Sequence, residues 1–358
     1  MAQIILAEFE NVKGNIQSDL PYDLALAECL SSKSDALSKA DLNETSYAVK
    51  GVAECYRRLG LTAKAIREYK TALSLFRETA NVRGIAWSKW GIGICERQQG
   101  DYLQSIHTLR KAKRHALLSN DNRCVAYTCA GIAEAVRILG HYKVALLQHY
   151  TVLERFKSLR DLRGIVWALE GIAQIHKNSG RYHDALRLFD TSKKIASETI
   201  DFRGLGYALK GSGECLSLLG LYEPAVNDLA SAVRLFELIN FRLGLAYAYK
   251  TLGDAYLRSD SLAEAHANYS NAMPLFRQIN EDRGIAFLRK SIGDFNLRVG
   301  SLDEAYDNYL NSQTFFREKG VRYGVHISTV ALNGASTNLS RSYSVPCDAA
   351  KRKRSTSS

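Results

Sequence analysis

Residues 81–102 read NVRGIAWSKWGIGICERQQGDY, and their skeleton returns at 201–222 as DFRGLGYALKGSGECLSLLGLY. The glycine near the end of each stretch, Gly100 and Gly220, also recurs at Gly60, Gly140, Gly180 and Gly300, with Asp260 in the one vacant place. The stride is 40 residues, without insertion or deletion. Five residues past each marker stands a small residue: Ala65, Ser105, Ala145, Ala185, Ala225, Ala265 and Ala305. Seven residues before it stands another: Ala53, Gly93, Ala133, Ala173, Gly213, Gly253 and Gly293. Leu20 and Ala25 fit the same frame one unit earlier, so the array is expected to start near the N-terminus. A fixed period of this length marks a stack of supersecondary units.

Each unit reads as a helical hairpin. From Ile85 to Gln99 the apolar residues fall at helical spacing, and Gly100 stands where a left-handed residue ends a helix. A second helix opens at Asp101-Tyr102 and runs toward Leu118. Asn81, Asp121, Asp161 and Asp201 sit at the following boundaries, where a side-chain oxygen can cap the next helix. The recurring small residues let two helices approach closely. Such a hairpin cannot bury its apolar face alone, but stacked copies can. The expected fold is all-α: a right-handed α-solenoid of about eight helix–turn–helix repeats, closed by a capping helix at about Arg322 to Leu332.

The segment 81–87 with Gly93, Gly100, Tyr102 and Ala112 resembles a tetratricopeptide repeat, and 201–207 with Gly213, Gly220, Tyr222, Ala225 and Ala232 repeats the resemblance. The 40-residue form with an Arg-Gly-x-Ala opening is similar to the Pins/LGN scaffolds and to the sensor arrays of bacterial transcription regulators. The resemblance covers about 4–334. It lacks the family proline that closes the second helix, and the early aromatic of the first helix is degenerate here: Val49, Lys89, Cys129, Leu169, Leu209, Tyr249 and Arg289.

Composition agrees. There are 48 basic and 37 acidic residues among 358, for a net charge of +11, and 46% are apolar, as a folded soluble chain requires. Only 4 prolines occur, which argues against a turn-rich β fold. No apolar run is long enough for a membrane helix, and Met1–Glu8 does not read as a secretory signal. Seven scattered cysteines offer no Cys-x-x-Cys pair, so a reducing, cytoplasmic setting is expected. Beyond 334 the chain turns serine-rich and basic. Residues 335–358 are read as a disordered tail outside a 1–334 solenoid, and Lys351-Arg352-Lys353-Arg354 offers an alternative nuclear address.

By the resemblance, the first helix of each hairpin lines a concave groove that binds a peptide. The first lining position is aromatic in every unit: Tyr47, Trp87, Tyr127, Trp167, Tyr207, Tyr247 and Phe287. Two readings stand side by side. The rings wedge neighbouring helices apart, or they contact an extended peptide. Three residues on come Lys50, Trp90, Ala130, Glu170, Lys210, Lys250 and Lys290. Four further come Glu54, Ile94, Glu134, Gln174, Glu214, Asp254 and Asp294. Lys50–Glu54, Lys210–Glu214, Lys250–Asp254 and Lys290–Asp294 are spaced to pair within one helix. Trp90, Ile94, Ala130 and Gln174 suggest an apolar floor in the central units. Arg57, Arg58, Arg97, Arg137, Lys177, Arg258 and Arg298 either serve the helix dipole or attract carboxylates. A further arginine opens most units (Arg83, Arg123, Arg163, Arg203, Arg283, with Arg242 one place early) and is read as a bridge to an adjacent hairpin.

No catalytic motif, cofactor fingerprint or metal-ligand set is found. Cys55, Cys95 and Cys215 share one repeat position and read as small packing residues. His176 and His183 flank a turn without a third ligand. Gly91-Ile92-Gly93 and Gly211-Ser212-Gly213 lie within helices as packing notches. The expected function is a non-catalytic scaffold or adaptor for a protein or peptide with apolar and acidic residues. The candidate groove residues are Tyr47, Trp87, Trp90, Ile94, Arg97, Tyr127, Arg137, Trp167, Gln174, Lys177, Tyr207 and Tyr247. A peptide-responsive regulator is the alternative. Nucleic-acid binding is a weaker reading, because acids share the same helix face.

Overall fold

The computed structural model describes residues 21–343, which form sixteen helices with no strand among them. Helix α1 spans Tyr22–Ser38. Seven hairpins follow: α2 Leu42–Arg58 with α3 Thr62–Glu78, α4 Val82–Gln98 with α5 Tyr102–Leu118, α6 Asn122–Ile138 with α7 Tyr142–Ser158, α8 Leu162–Asn178 with α9 Tyr182–Glu198, α10 Phe202–Leu218 with α11 Tyr222–Leu238, α12 Arg242–Arg258 with α13 Leu262–Gln278, and α14 Asp282–Arg298 with α15 Leu302–Glu318. Helix α16, Arg322–Tyr343, ends the description. This is the expected α-solenoid. The first helix of the first expected pair and the Lys351–Arg354 cluster lie outside the described residues. The chain divides into two compact units that meet after Gly284.

Helices α1 to α15 are each 17 residues long. The 40-residue period therefore splits into two near-equal halves. Every half ends on a left-handed residue. Gly60, Gly100, Gly140, Gly180, Gly220 and Gly300 take it within hairpins, and Asp260 does so at φ 64°. Between hairpins the same conformation falls on Ala80, Asn120, Arg160, Ile200, Asn240 and Asn280. There the sequence carries no glycine; Asn120, Asn240 and Asn280 accept the conformation readily, whereas Ala80, Arg160 and Ile200 give no local sign of a stop. At Ile200 the stop is a full Schellman motif: Asp201 N–H donates to Ala196 O at 2.9 Å, and Ile200 N–H to Ser197 O at 3.3 Å.

The expected caps form. Asn81, Asp121, Asp161 and Asp201 accept from the backbone N–H three residues on, at 2.8, 2.8, 2.9 and 3.1 Å. Each such cap contributes about 1 kcal/mol.

Complementary sizes fix the stacking. Phe76, Phe156, Phe236 and Phe276 are fully buried near the ends of second helices, and each meets a glycine at the start of the next hairpin: Gly84, Gly164, Gly244 and Gly284. A Cβ on Gly164 would lie 2.2 Å from the Phe156 ring. Where the second helix carries Ala116 instead of Phe, Cys124 replaces the glycine and joins Ala116 in one buried cluster, whereas Ala196 keeps Gly204 opposite it. The notches behave as expected: a Cβ on Gly91 would meet Tyr69 at 2.2 Å, and one on Gly211 would meet Phe189 at 2.3 Å.

Unit 21–284 returns on itself. Tyr22 N–H donates to Ile239 O at 3.1 Å, and its ring stands edge-on to Phe241 at 5.9 Å. The Gly60 turn rests on Ile279, and Leu59, Phe241 and Ile279 belong to one buried cluster with Tyr22. In unit 285–343, Phe287 packs on Phe316 at 4.6 Å and Tyr309 donates to Asp294 at 2.9 Å.

The capping helix differs from expectation. It runs to Tyr343, so the compositional boundary at 334 falls inside it. Ser336 and Thr337 turn their hydroxyls back to the carbonyls of Leu332 and Asn333, both at 2.9 Å, and so stay compatible with helix.

Candidate functional site

The seven aromatic residues of the ladder are all half-buried, so each both packs and shows a surface. Their packed edges are well defined. Tyr47, Tyr127, Tyr207 and Tyr247 stand edge-on to Phe76, Phe156, Phe236 and Phe276 at 5.1, 5.1, 5.3 and 4.9 Å. Trp87, Tyr127 and Trp167 also touch in sequence, at 5.7 and 5.8 Å. Their polar atoms reach the cap of the next hairpin. Trp87 Nε1 donates to Asp121 at 2.9 Å, Tyr127 OH to Asp161 at 3.4 Å, and Tyr47 OH accepts from Asn81 at 3.0 Å.

The opening arginines share those acids. Arg83 donates to Asp121 at 2.7 Å and Arg123 to Asp161 at 2.8 Å. These two bridge adjacent hairpins as expected, whereas Arg283 turns to Glu281 at the start of its own hairpin, at 3.3 Å. One cap carboxylate therefore serves a helix start, a guanidinium and a ladder ring together.

Within unit 21–284, burial lowers the pKa of Arg97 on α4, and Arg283 on α14 stands near enough to disfavour its charge further, against the pull of Glu134. Helices so far apart in sequence share one interior, and the first helices line it. The acids there are strongly engaged. Glu54 accepts from Arg57, from Arg58 at 2.9 Å and from Tyr69 at 2.6 Å. Glu134 binds Arg137 with two bonds, at 2.7 and 2.6 Å. Glu214 pairs with Lys177 of the preceding hairpin at 2.7 Å. Burial alone would raise these carboxyls. The basic partners overcome it and hold Glu134 and Glu214 at about 2. Lys210, buried among Lys177 and Lys250, is pushed down to about 8 despite Glu214.

Two of the four expected i,i+4 pairs form: Lys250–Asp254 and Lys290–Asp294, both at 2.6 Å. In the other two units the acid takes a different partner, Arg57 and Arg58 for Glu54 and Lys177 for Glu214. Glu54's partners lie on its own helix, at i+3 and i+4, whereas Lys177 reaches Glu214 from the preceding hairpin, a contact that a single-helix reading does not contain.

The expected apolar floor is a correction. Ile94 is only 2% exposed and lies against Gly131, while Ala130 is fully buried. Position 94 turns toward the neighbouring first helix rather than the interior. Trp90 remains half-exposed, donates Nε1 to Tyr127 O at 3.2 Å and carries Arg57 over its ring at 5.2 Å. Gln174 is half-buried one helical turn beyond Glu170.

Three polar groups on this interior lack partners. Arg97 Nε is buried without a hydrogen-bond partner, while a terminal nitrogen of the same guanidinium stands 3.9 Å from Glu134. Tyr102 OH is buried without a partner, in the field of Arg283, Glu281 and Arg97. Glu170 Oε1 is likewise unbonded. Burial, reinforced by Asp201, raises this carboxyl well above its ordinary range. Sequence reasoning passed over Tyr102 and treated Glu170 as one more member of a row. The missing signal was partner geometry, although Glu170 is the lone acid among Lys50, Lys210, Lys250 and Lys290. Among the described residues no cluster of metal-ligating side chains occurs, and no helix is long and apolar enough to cross a membrane.

The tetratricopeptide repeat family matches residues 43–114. This chain carries tetratricopeptide repeats. Solved structures share the fold of the tetratricopeptide array at low identity. A Rap protein complexed with competence and sporulation factor aligns at TM-score 0.62 and 14% identity, covering 95% of this chain and 99% of that one. The Rap conjugation gene regulator of plasmid pLS20, in complex with the Phr* peptide, aligns at TM-score 0.64 and 15% identity, covering 80% and 77%. NprR in complex with its cognate peptide NprX aligns at TM-score 0.58 and 16% identity, covering 87% and 97%. Among curated protein sequences no significant match is found.

Proposed function

We propose that this tetratricopeptide array is a non-catalytic peptide-binding regulator or adaptor in the cytoplasm, and that its ligand lies along the interior of the first helices. One observation carries the reading. Partly exposed aromatic surface and unpartnered buried polar groups occur on the same face. Leaving a buried donor or acceptor unsatisfied costs roughly 1–3 kcal/mol, so Arg97, Tyr102 and Glu170 each gain from a ligand that supplies the partner. The ladder rings supply contact area with few rotors to freeze. The peptide complexes of the structurally similar Rap and NprR proteins support the class of ligand. Glu54, Glu134 and Glu214 already pair with Arg57, Arg58, Arg137 and Lys177, which argues against a nucleic-acid strand.

A pool of random hexapeptides, incubated with the full chain and separated by size, tests this. Mass spectrometry should find a retained subset, depleted at least tenfold with Glu170→Ala or Arg97→Gln protein of unchanged helicity. Failure to retain any peptide, or equal retention by all three proteins, overturns the proposal.

A further inference from the structure

Cys29 on α1 and Cys55 on α2 face each other with their sulfurs 3.6 Å apart. A disulfide needs about 2.05 Å, so closure asks for an approach of about 1.5 Å across two packed helices. The two thiols are unequal. Cys29 is half-buried and reachable, while Cys55 is fully buried. We propose that Cys29 and Cys55 form a reversible disulfide when the protein meets a peroxide. The bond would be a modification site that fastens α1 to α2, and it does not depend on the peptide-binding reading.

The chemistry fits the inequality. Contact with Cys55 lowers the Cys29 thiol, and Arg58 adds to this, which favours the nucleophilic thiolate at the exposed sulfur. The same contact, with burial, raises Cys55. Cys29 thiolate attacks one peroxide oxygen, the O–O bond breaks, and the leaving alkoxide or hydroxide takes up a proton. Cys29 is left as a sulfenic acid. The Cys55 sulfur then attacks the Cys29 sulfur, the S–O bond breaks, and hydroxide leaves with the Cys55 proton as water. One peroxide is reduced and two thiols are oxidised. Cys95 and Cys215, at the position equivalent to Cys55, are buried with their thiols raised to about 12 and serve as internal controls. Cys55 directly follows Glu54, which holds Arg57, Arg58 and Tyr69, so the bond would also fix that anchor of the interior.

Full-length protein treated with hydrogen peroxide, alkylated and digested with trypsin without reduction gives the test. The tryptic peptide Gly14–Lys33 should appear joined to Gly51–Arg57 before Trp90–Arg97, which carries Cys95, is modified. Dithiothreitol should release both. Oxidation should raise the thermal midpoint by about 5 °C in wild type and not in Cys29→Ala. In Cys55→Ser, Cys29 should stop at a sulfenic acid that dimedone traps. Unmodified Cys29, Cys29 sulfinic acid beside free Cys55, or links mainly to other cysteines would overturn the proposal.

Discussion

His149 shows how one side chain can depart from its own repeat. In three units the equivalent position holds Tyr69, Tyr269 and Tyr309, whose hydroxyls donate to Glu54, Asp254 and Asp294 at 2.6, 3.0 and 2.9 Å, and in three others the apolar Leu109, Phe189 and Leu229. Glu134 stands where those acids stand, but His149 offers it no bond, and both ring nitrogens are buried without partners. Burial pushes the imidazole down to about 4, against an ordinary 6.5. The unfolded chain therefore binds the proton first as pH falls. The contribution of neutral His149 is fully present above pH 6.5 and is lost as pH drops toward about 4. His149→Tyr should restore the missing bond and raise stability by about 1–2 kcal/mol. Urea unfolding should also show a flatter pH dependence between 6.5 and 4 for the variant; an unchanged slope would refute the assignment. Ile200 makes a second case. A β-branched residue at φ 53° is strained, and its side chain is half-exposed, so Ile200→Gly should stabilise by ~0.5–1 kcal/mol in the same measurement.

At the scale of the helix, the cap carboxylate is the busiest junction. Asp121 accepts from Cys124 N–H, Arg83 and Trp87 at 2.8, 2.7 and 2.9 Å. Asp121→Ala removes all three and should cost about 2–3 kcal/mol. Asp121→Asn, the residue found at position 81, keeps the cap and should lose less than half as much in denaturant midpoints. Equal losses would mean that the cap contributes nothing. Helices of this kind were largely legible beforehand. Gly100 and Asp121 are local signals, and a fixed stride multiplies them. The stops at Ala80, Arg160 and Ile200 were not legible, because no local residue preference announces them and stacking imposes them. The ladder was visible as a row, but its tie to caps 34 residues on was not, since that link exists only once hairpins are stacked.

Within unit 21–284, charge is arranged so that the interior acids other than Glu170 are held ionised by partners from their own and neighbouring helices. Glu134 and Glu214 sit at about 2 against an ordinary 4.5. Their contribution is complete above pH 4.5 and disappears as pH falls toward 2, so acid unfolding should steepen in that window. Glu134→Gln strands Arg137 and further isolates Arg97. It should cost about 2 kcal/mol near neutral pH and remove part of the acid limb, which circular dichroism against pH can follow. If neutral-pH stability is unchanged, the network is not what orders the interior. The single-helix pairing scheme missed this because Lys177–Glu214 joins two hairpins, and sequence spacing within one helix cannot express that choice.

The contact of Tyr22 with Ile239 and Phe241, matched by Gly60 against Ile279, gives the array a ruler. An open stack tolerates one module more or fewer. Here, inserting or excising 40 residues between these points would bring a different turn of chain under Tyr22 and abolish the seam. The number of modules is thus written into a surface match rather than left to drift, and lengthening by duplication inside the seam is penalised even when every hairpin is sound.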